Sequence, residues 1–189
     1  MGELRIVAGA LRGRKLRVPS GLDVRPTSDR VREALFDILG GFPEGKRVLD
    51  AYAGTGAPGF EALSRGAAAV TFLESARSVV GVLRANAAAL GVEARCRIVA
   101  ADVVATVLSG APGGPFDLVL ADPPYALADP SPLLRALARD ALAPAARVVL
   151  ERDRAVEAAD GPAGLRLART ARYGRTCLDF YEWSASGPG

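Results

Sequence analysis

From residue 47 to residue 151 the chain alternates short apolar runs with helical patterns, and this alternation limits the folds open to it. Residues 48–52, 70–73, 95–99, 116–121 and 147–151 read as strands. Residues 58–65, 76–90, 103–108 and 132–142 read as helices between them. A helix after each strand returns the chain in one direction, which predicts an α/β fold with a mostly parallel sheet covered on both faces. The end departs from this pattern. Residues 165–173 and 176–183 flank Gly174 and Arg175, a two-residue link suited to a hairpin, so a seven-stranded sheet closing in antiparallel strands is expected.

The first 42 residues read as an extension. Ile6 and Val7, then Leu16 and Val18, lie on either side of Gly9 and Gly13, which predicts a small β-hairpin with Arg and Lys on its open face. Arg25-Pro26-Thr27-Ser28 followed by Asp29 carries the signals of a helix start, and Val31, Leu35, Ile38 and Leu39 give that helix one apolar stripe. The expected organisation is a hairpin-and-helix extension over 1–42, the α/β domain over 43–184, and a flexible tail over 185–189.

Composition removes several chemistries. The 189 residues include no histidine, which excludes Ser-His-Asp triads, Cys-His dyads and histidine-ligated zinc. The two cysteines, Cys96 and Cys177, are too far apart in sequence for a CxxC motif; no metal site and a reducing cytoplasmic location are expected. The longest uncharged stretch, 103–116, is interrupted by Ser109, Gly110 and the 112–115 cluster, so no membrane attachment is expected. Charge is uneven. Residues 1–32 hold eight basic residues against three acidic ones, a net +5, while the whole chain is only +3. A basic arm on a mildly acidic body suits an anionic partner, with nucleic acid the leading candidate.

The turn after the first strand runs Asp50-Ala51-Tyr52-Ala53-Gly54-Thr55-Gly56-Ala57-Pro58-Gly59. Glycines belong where backbone must approach a ligand and side chains would block it. Glu74, twenty residues after Gly54, ends the second strand, where an acid can accept from a ribose diol. This much fits a nicotinamide dinucleotide or S-adenosylmethionine. Asp50 favours the latter, because a carboxylate suits an ammonium and a sulfonium better than a pyrophosphate. Asp102 follows the third strand and could accept from an adenine amino group, with the Val103 N–H reaching a ring nitrogen; it could equally cap a helix.

Asp122-Pro123-Pro124-Tyr125 ends the fourth strand and is the most informative tetrapeptide. Two prolines hold the backbone extended and remove two N–H donors, leaving carbonyls as acceptors. Asp122 adds a carboxylate and Tyr125 a flat ring. Such a pocket accepts hydrogen bonds from an NH2 group and stacks on a base. Methylating an exocyclic amine needs this, because its lone pair is delocalised until the N–H groups are held. The charge that grows on the amine during transfer falls beside Asp122.

With these motifs in place, the chain resembles the RsmD family of bacterial 16S ribosomal RNA guanine-N2 methyltransferases. The likeness runs through Arg5-Ile-Val-Ala-Gly, Arg25-Pro-Thr-Ser-Asp-Arg-Val-Arg-Glu-Ala-Leu-Phe, Asp50-Ala-Tyr-Ala-Gly-Thr-Gly, Glu61-Ala-Leu-Ser-Arg-Gly-Ala and Asp122-Pro-Pro-Tyr to Tyr173-Gly174. Asp37, Tyr52 and Pro58 depart from the family pattern. The resemblance implies a Rossmann-like methyltransferase fold. The implied reaction moves a methyl group from S-adenosyl-L-methionine to N2 of one guanine. The implied partner is 16S rRNA in a partly or fully assembled small subunit, met by a monomer. Asp50, Ala51, Gly54, Gly56, Glu74, Asp102, Val103 and Thr27 form the expected cofactor set, and Asp122, Pro123, Pro124 and Tyr125 the catalytic set. Arg5, Arg12, Arg14, Lys15, Arg17, Arg25 and Arg30 are the expected RNA contacts, with arginine suited to phosphate forks and base stacking. Three other readings stay open: an adenine-N6 or other amino-methyltransferase on DNA or another RNA, a dinucleotide-dependent oxidoreductase, and a non-enzymatic RNA-binding assembly factor.

Overall fold

The computed structural model describes residues 4–19, 26–124 and 129–184. The elements are α1 (Pro26–Leu39), β1 (Arg47–Ala51), α2 (Ala57–Ser64), β2 (Ala69–Glu74), α3 (Arg77–Leu90), β3 (Cys96–Ala100) and α4 (Val103–Leu108). β4 (Phe116–Ala121), α5 (Ser131–Asp140), β5 (Leu142–Asp153), β6 (Leu165–Tyr173) and β7 (Thr176–Trp183) complete the chain. A 3-10 turn over Glu93–Arg95 leads into β3. Among these residues, no helix is long and apolar enough to cross a membrane.

The sheet has seven strands in the order β3-β2-β1-β4-β5-β7-β6. β3 to β5 are parallel, and β7 runs antiparallel between β5 and β6, as the terminal hairpin pattern predicts. β1 pairs with β2 on one side and β4 on the other, with Asp50 opposite Phe72 and Leu120. Successive side chains alternate between two cores. Val48, Phe72, Leu118, Leu120 and Val149 face α1, α2 and α3. Leu49, Leu73, Val119, Val148 and Leu150 face α4 and α5. Central strands buried on both faces read as unbroken apolar runs, and that is why they are visible in the sequence.

β5 begins at Leu142, five residues earlier than the apolar run at 147–151 indicates. Its first half is Leu-Ala-Pro-Ala-Ala, poor in strand-forming side chains, and the register shifts against β4 between Phe116 and Leu118.

The expected N-terminal β-hairpin does not form. The two halves of the arm pair at one antiparallel bridge, Arg5 with Lys15, where Leu16 N–H donates to the Leu4 carbonyl at 2.9 Å and Ile6 N–H to the Arg14 carbonyl at 3.0 Å; Gly13 N–H turns back to the Ile6 carbonyl at 2.9 Å, and no strand ladder continues from there. Past the bridge the arm turns onto α2 instead. The N–H groups of Val7 and Ala8 donate to the Glu61 carboxylate at 2.7 and 3.0 Å, and that of Leu11 to Ser64 Oγ at 2.9 Å. Ala10 N–H donates to the Ser64 carbonyl at 2.8 Å. Gly9 (φ +79°) lies so close that a Cβ would stand 2.0 Å from the Ser64 carbonyl oxygen. Glu61 is fully buried and is also held by Arg65 at 2.9 Å and faced by Arg32 at 3.8 Å.

A buried carboxylate with this many partners leaves them stranded when it is removed. Glu61→Ala is expected to lower unfolding stability by about 3–5 kcal/mol and to speed amide exchange at Val7 and Ala8. Chemical denaturation with exchange mass spectrometry checks both; an unchanged midpoint would contradict the clamp.

Candidate active site

The carboxyl ends of the parallel strands carry the candidate residues. Strand order reverses between β1 and β4, and the helices that follow those strands, α2 and α5, pack on opposite faces, the arrangement at which open α/β sheets take ligands. The turn after β1, Glu74 at the tip of β2, Asp102 after β3, Asp122 after β4 and Glu151 near the end of β5 all belong to this edge.

The turn is built by backbone constraint. Tyr52 adopts a left-handed conformation (φ 60°), costly for a bulky residue and typical of a backbone held for a purpose. Ala53 N–H donates to the Leu73 carbonyl at 3.0 Å, and Gly54 N–H to Glu74 Oε2 at 3.0 Å. Glu74 Oε1 accepts from Ala76 N–H at 2.8 Å. The three glycines differ in role. A Cβ on Gly56 would stand 2.5 Å from Leu83, and one on Gly59 2.4 Å from the Phe72 ring. These two admit close helix packing. A Cβ on Gly54 would meet only the Tyr52 carbonyl, at 3.9 Å, so Gly54 is the glycine with room beside it.

Asp50 is buried beneath the turn, and its Oδ2 accepts from Gly59 N–H at 2.9 Å. Burial raises its pKa well above the ordinary carboxylate range; the Gly59 bond opposes this, and the charges of Asp122 and Glu74 add to it. Ala51, at the end of β1, is buried. Asp102 Oδ1 accepts from Ala105 N–H at 2.8 Å, capping α4, and Val103 opens that helix in the core. Pro123 is half-buried and Pro124 exposed. Tyr125, Arg25 and the side chain of Thr27 lie outside the described residues.

Two residues at this edge escaped the sequence reading. Asn86 on α3 accepts from Arg17 N–H at 2.7 Å and donates to the Arg17 carbonyl at 3.0 Å and the Thr55 carbonyl at 3.3 Å. It ties the basic arm to the glycine turn. Its signal was a polar residue inside the buried stripe of Val80, Leu83, Ala87 and Leu90. Glu151 is the second. The β4–β5 register pairs Ala121 with Leu150, so Asp122 and Glu151 occupy the next step. Alternation puts both on the face of Leu120 and Val149. Although Asp122 as a residue is open to solvent, its carboxyl lies close enough to protein that desolvation raises its pKa. Desolvation, and then the Asp122 charge, raise that of Glu151 further. Both groups are thus pushed toward the protonated form in the empty site, and a ligand that donates to them favours their charged forms.

Along the arm, Arg5, Arg12, Arg14, Lys15 and Arg17 are exposed, as is Arg30 on α1. The Arg14 guanidinium donates to the Ala89 carbonyl, and Arg17 is held through its backbone, leaving its side chain outward.

A family model described as "Conserved hypothetical protein 95" matches residues 4–182. The chain belongs to this family. Its relatives include the RsmD proteins. Ribosomal RNA small subunit methyltransferase D of Escherichia coli (strain K12) is 42% identical over 124 residues, covering 66% of this chain and 61% of that protein. The protein of the same description from Haemophilus influenzae is 43% identical over 129 residues, covering 66% and 65%. The chain thus spans less than two thirds of these relatives' length. A Bacillus subtilis protein described as putative rRNA methyltransferase YlbH is 29% identical over 181 residues, covering 95% of this chain and 98% of that one. The structure described as putative methyltransferase yhhF from Escherichia coli superposes with a TM-score of 0.87 at 32% identity, covering 98% of this chain and all of the other. The Thermus thermophilus RsmC methyltransferase, described as complexed with AdoMet and guanosine, shares the fold at a TM-score of 0.70, 20% identity and coverage of 96% and 50%. The RsmD resemblance read from the sequence and these matches name the same family.

The raised pKa of Glu151 carries a stability consequence with a definite sign. A carboxyl whose folded pKa exceeds its unfolded value of 4.5 stabilises the fold fully below that value and loses the contribution as pH rises through the folded value. Glu151→Gln removes this dependence. Relative to the parent, its melting temperature is expected to be higher at about pH 9 than at about pH 5; thermal melts at both values check it, and a pH-independent difference would contradict the burial argument.

Proposed function

We propose that this protein is an S-adenosyl-L-methionine-dependent methyltransferase that modifies the exocyclic N2 amine of a guanine in small-subunit rRNA. One observation carries the reading most: Asp122 and its two prolines leave β4 beside the glycine turn of β1, so an acceptor for an amine stands next to a cradle of carboxylates. The rRNA methyltransferases among its relatives support the substrate class.

The residues of the turn fit this cofactor better than a dinucleotide. The charged groups that act on Asp50 are Asp122 and Glu74, both negative. An anionic pyrophosphate would be repelled there, whereas an ammonium and a sulfonium would be attracted. Asp50 and the Gly54 side of the turn would hold the amino-acid end, with Glu74 and Asp102 toward the adenosine. When bound, the cofactor supplies an electrophilic methyl group.

The chain's own groups do the rest. Asp122 and the Pro123 carbonyl accept the two amine hydrogens. That turns the nitrogen lone pair out of conjugation with the base. As the nitrogen becomes cationic, its charge develops beside the Asp122 carboxylate, an interaction stronger in the transition state than in the ground state. Orientation of the two reactants supplies a further share; the proton lost from the methylated nitrogen passes to the Asp122 carboxylate and on to water, so no imidazole base is needed. The basic arm, fixed to the turn through Asn86, faces its arginines outward where RNA phosphates would lie. Unstacking of the guanine precedes transfer.

Labelled methyl transfer to undermethylated small subunits, followed by nucleoside digestion, tests the reading: N2-methylguanosine is expected, and N6-methyladenosine or no product overturns it. Asp122→Ala should retain most cofactor affinity by calorimetry and lose nearly all turnover. Glu74→Ala releases the Gly54 and Ala76 N–H groups it accepts and should weaken cofactor binding by roughly tenfold or more in the same calorimetric titration.

A further inference from the structure

Buried or half-buried carboxylates elsewhere in the molecule are compensated. Glu61 has Arg65 and Arg32, and Asp179 has Arg152 at 2.5 Å and the Thr170 hydroxyl at 2.6 Å. Asp122 and Glu151 are different. Among the described residues, neither side chain takes a hydrogen bond or an ion pair. They follow the last paired residues of two adjacent strands, Ala121 and Leu150, on the same face, close enough that the Asp122 charge acts on Glu151. Leaving two neighbouring carboxylates without donors is costly, and the cost is relieved by a ligand that presents two adjacent N–H donors.

We propose that Glu151 is a specificity residue of the methylation site, accepting the N1–H of the target guanine while Asp122 accepts an N2–H. The inference rests on the reading of the site given above and deepens it. Guanine places N1–H directly beside its N2 amine, so its edge offers two neighbouring donors to two neighbouring acceptors. Adenine fails at the same position. Its N1 carries a lone pair that would face the Glu151 carboxylate, and an acceptor held opposite an acceptor in a half-buried position rejects a base more strongly than a missing contact does. Asp122 alone cannot discriminate in this way, because any exocyclic amine satisfies it. The pair of carboxylates thus separates a guanine-N2 enzyme from an adenine-N6 enzyme that could use the same Asp-Pro-Pro-Tyr sequence.

The test exchanges guanine for 2,6-diaminopurine, which keeps the 2-amino group but replaces N1–H with an acceptor. Small-subunit RNA is assembled with a ligated synthetic segment that carries either base at the methylated position. The relative kcat/KM for methylation of the 2-amino group is then measured for the parent and for Glu151→Gln. The parent should favour guanine by at least about tenfold. Glu151→Gln presents an amide that can donate to the acceptor at N1, so the preference should shrink by about tenfold or reverse. A parent that methylates both bases equally, or a variant with an unchanged ratio, overturns the role of Glu151 while leaving the site reading intact. A parent that methylates no guanine on its unmodified substrate overturns the site reading itself. The parent's own ratio requires no substitution in the protein, so misfolding of the variant cannot decide the outcome.

Discussion

The reversal of strand order between β1 and β4 governs the architecture. Parallel strands need crossovers, and those after β1 and β4 lead to helices on opposite faces, the geometry that leaves a gap at the carboxyl ends of such sheets. The glycine turn of β1 and the acidic tip of β4 come together because they border that gap. Their neighbours follow from register alone: Glu74 lies one strand away on one side, and Glu151 is the next step after the Leu150 partner of Ala121 on the other. The site is a consequence of sheet order before any side chain is considered.

Once the gap is placed, its walls must be rigid without being filled. The turn solves this by using its own glycines for packing. Gly56 and Gly59 bring α2 against Leu83 and Phe72, while Asp50 accepts the Gly59 N–H and holds the first turn of α2 from below. The far half of α2 is then free to hold the basic arm through Glu61 and Ser64, and Asn86 joins that arm back to the turn at Thr55. One eight-residue helix therefore couples the site and the arm. Two of the runs that carry the family likeness, Arg5-Ile6-Val7-Ala8-Gly9 and Glu61-Ala62-Leu63-Ser64, are the two sides of a single interface.

The sheet was legible because its central strands are buried on both faces, so apolar runs and strand limits coincide. Legibility failed where backbone donors were satisfied by side chains. Nothing in the spacing of Ile6, Val7, Leu16 and Val18 reveals that pairing stops after one bridge and that Glu61, more than fifty residues away, takes the N–H groups of Val7 and Ala8. The alanine-rich start of β5 failed for the opposite reason: its place in the sheet comes from tertiary pairing, against weak local propensity. At the site, Asp50, Glu74, Asp102 and Asp122 stood out by their offsets from strands. Glu151 did not, because its meaning depends on which strand lies beside it, and strand adjacency is a property of sheet order.

That dependence bears on how the site balances stability against chemistry. Glu61 and Asp179 show that this fold readily supplies an arginine to a buried carboxylate. Along this edge none is supplied among the described residues: Asp50, Asp122 and Glu151 are all pushed toward the protonated form by desolvation, and the charges acting on Asp50 and Glu151 are negative. An arginine placed there would neutralise the cluster and stabilise the empty protein, but it would also occupy the acceptors and repel a sulfonium. The uncompensated charge is therefore most simply accounted for by what enters the crevice. A cation on one side and a base edge rich in N–H groups on the other complete the electrostatics that the polypeptide leaves open, and the energy of that completion is available for holding the two reactants in line.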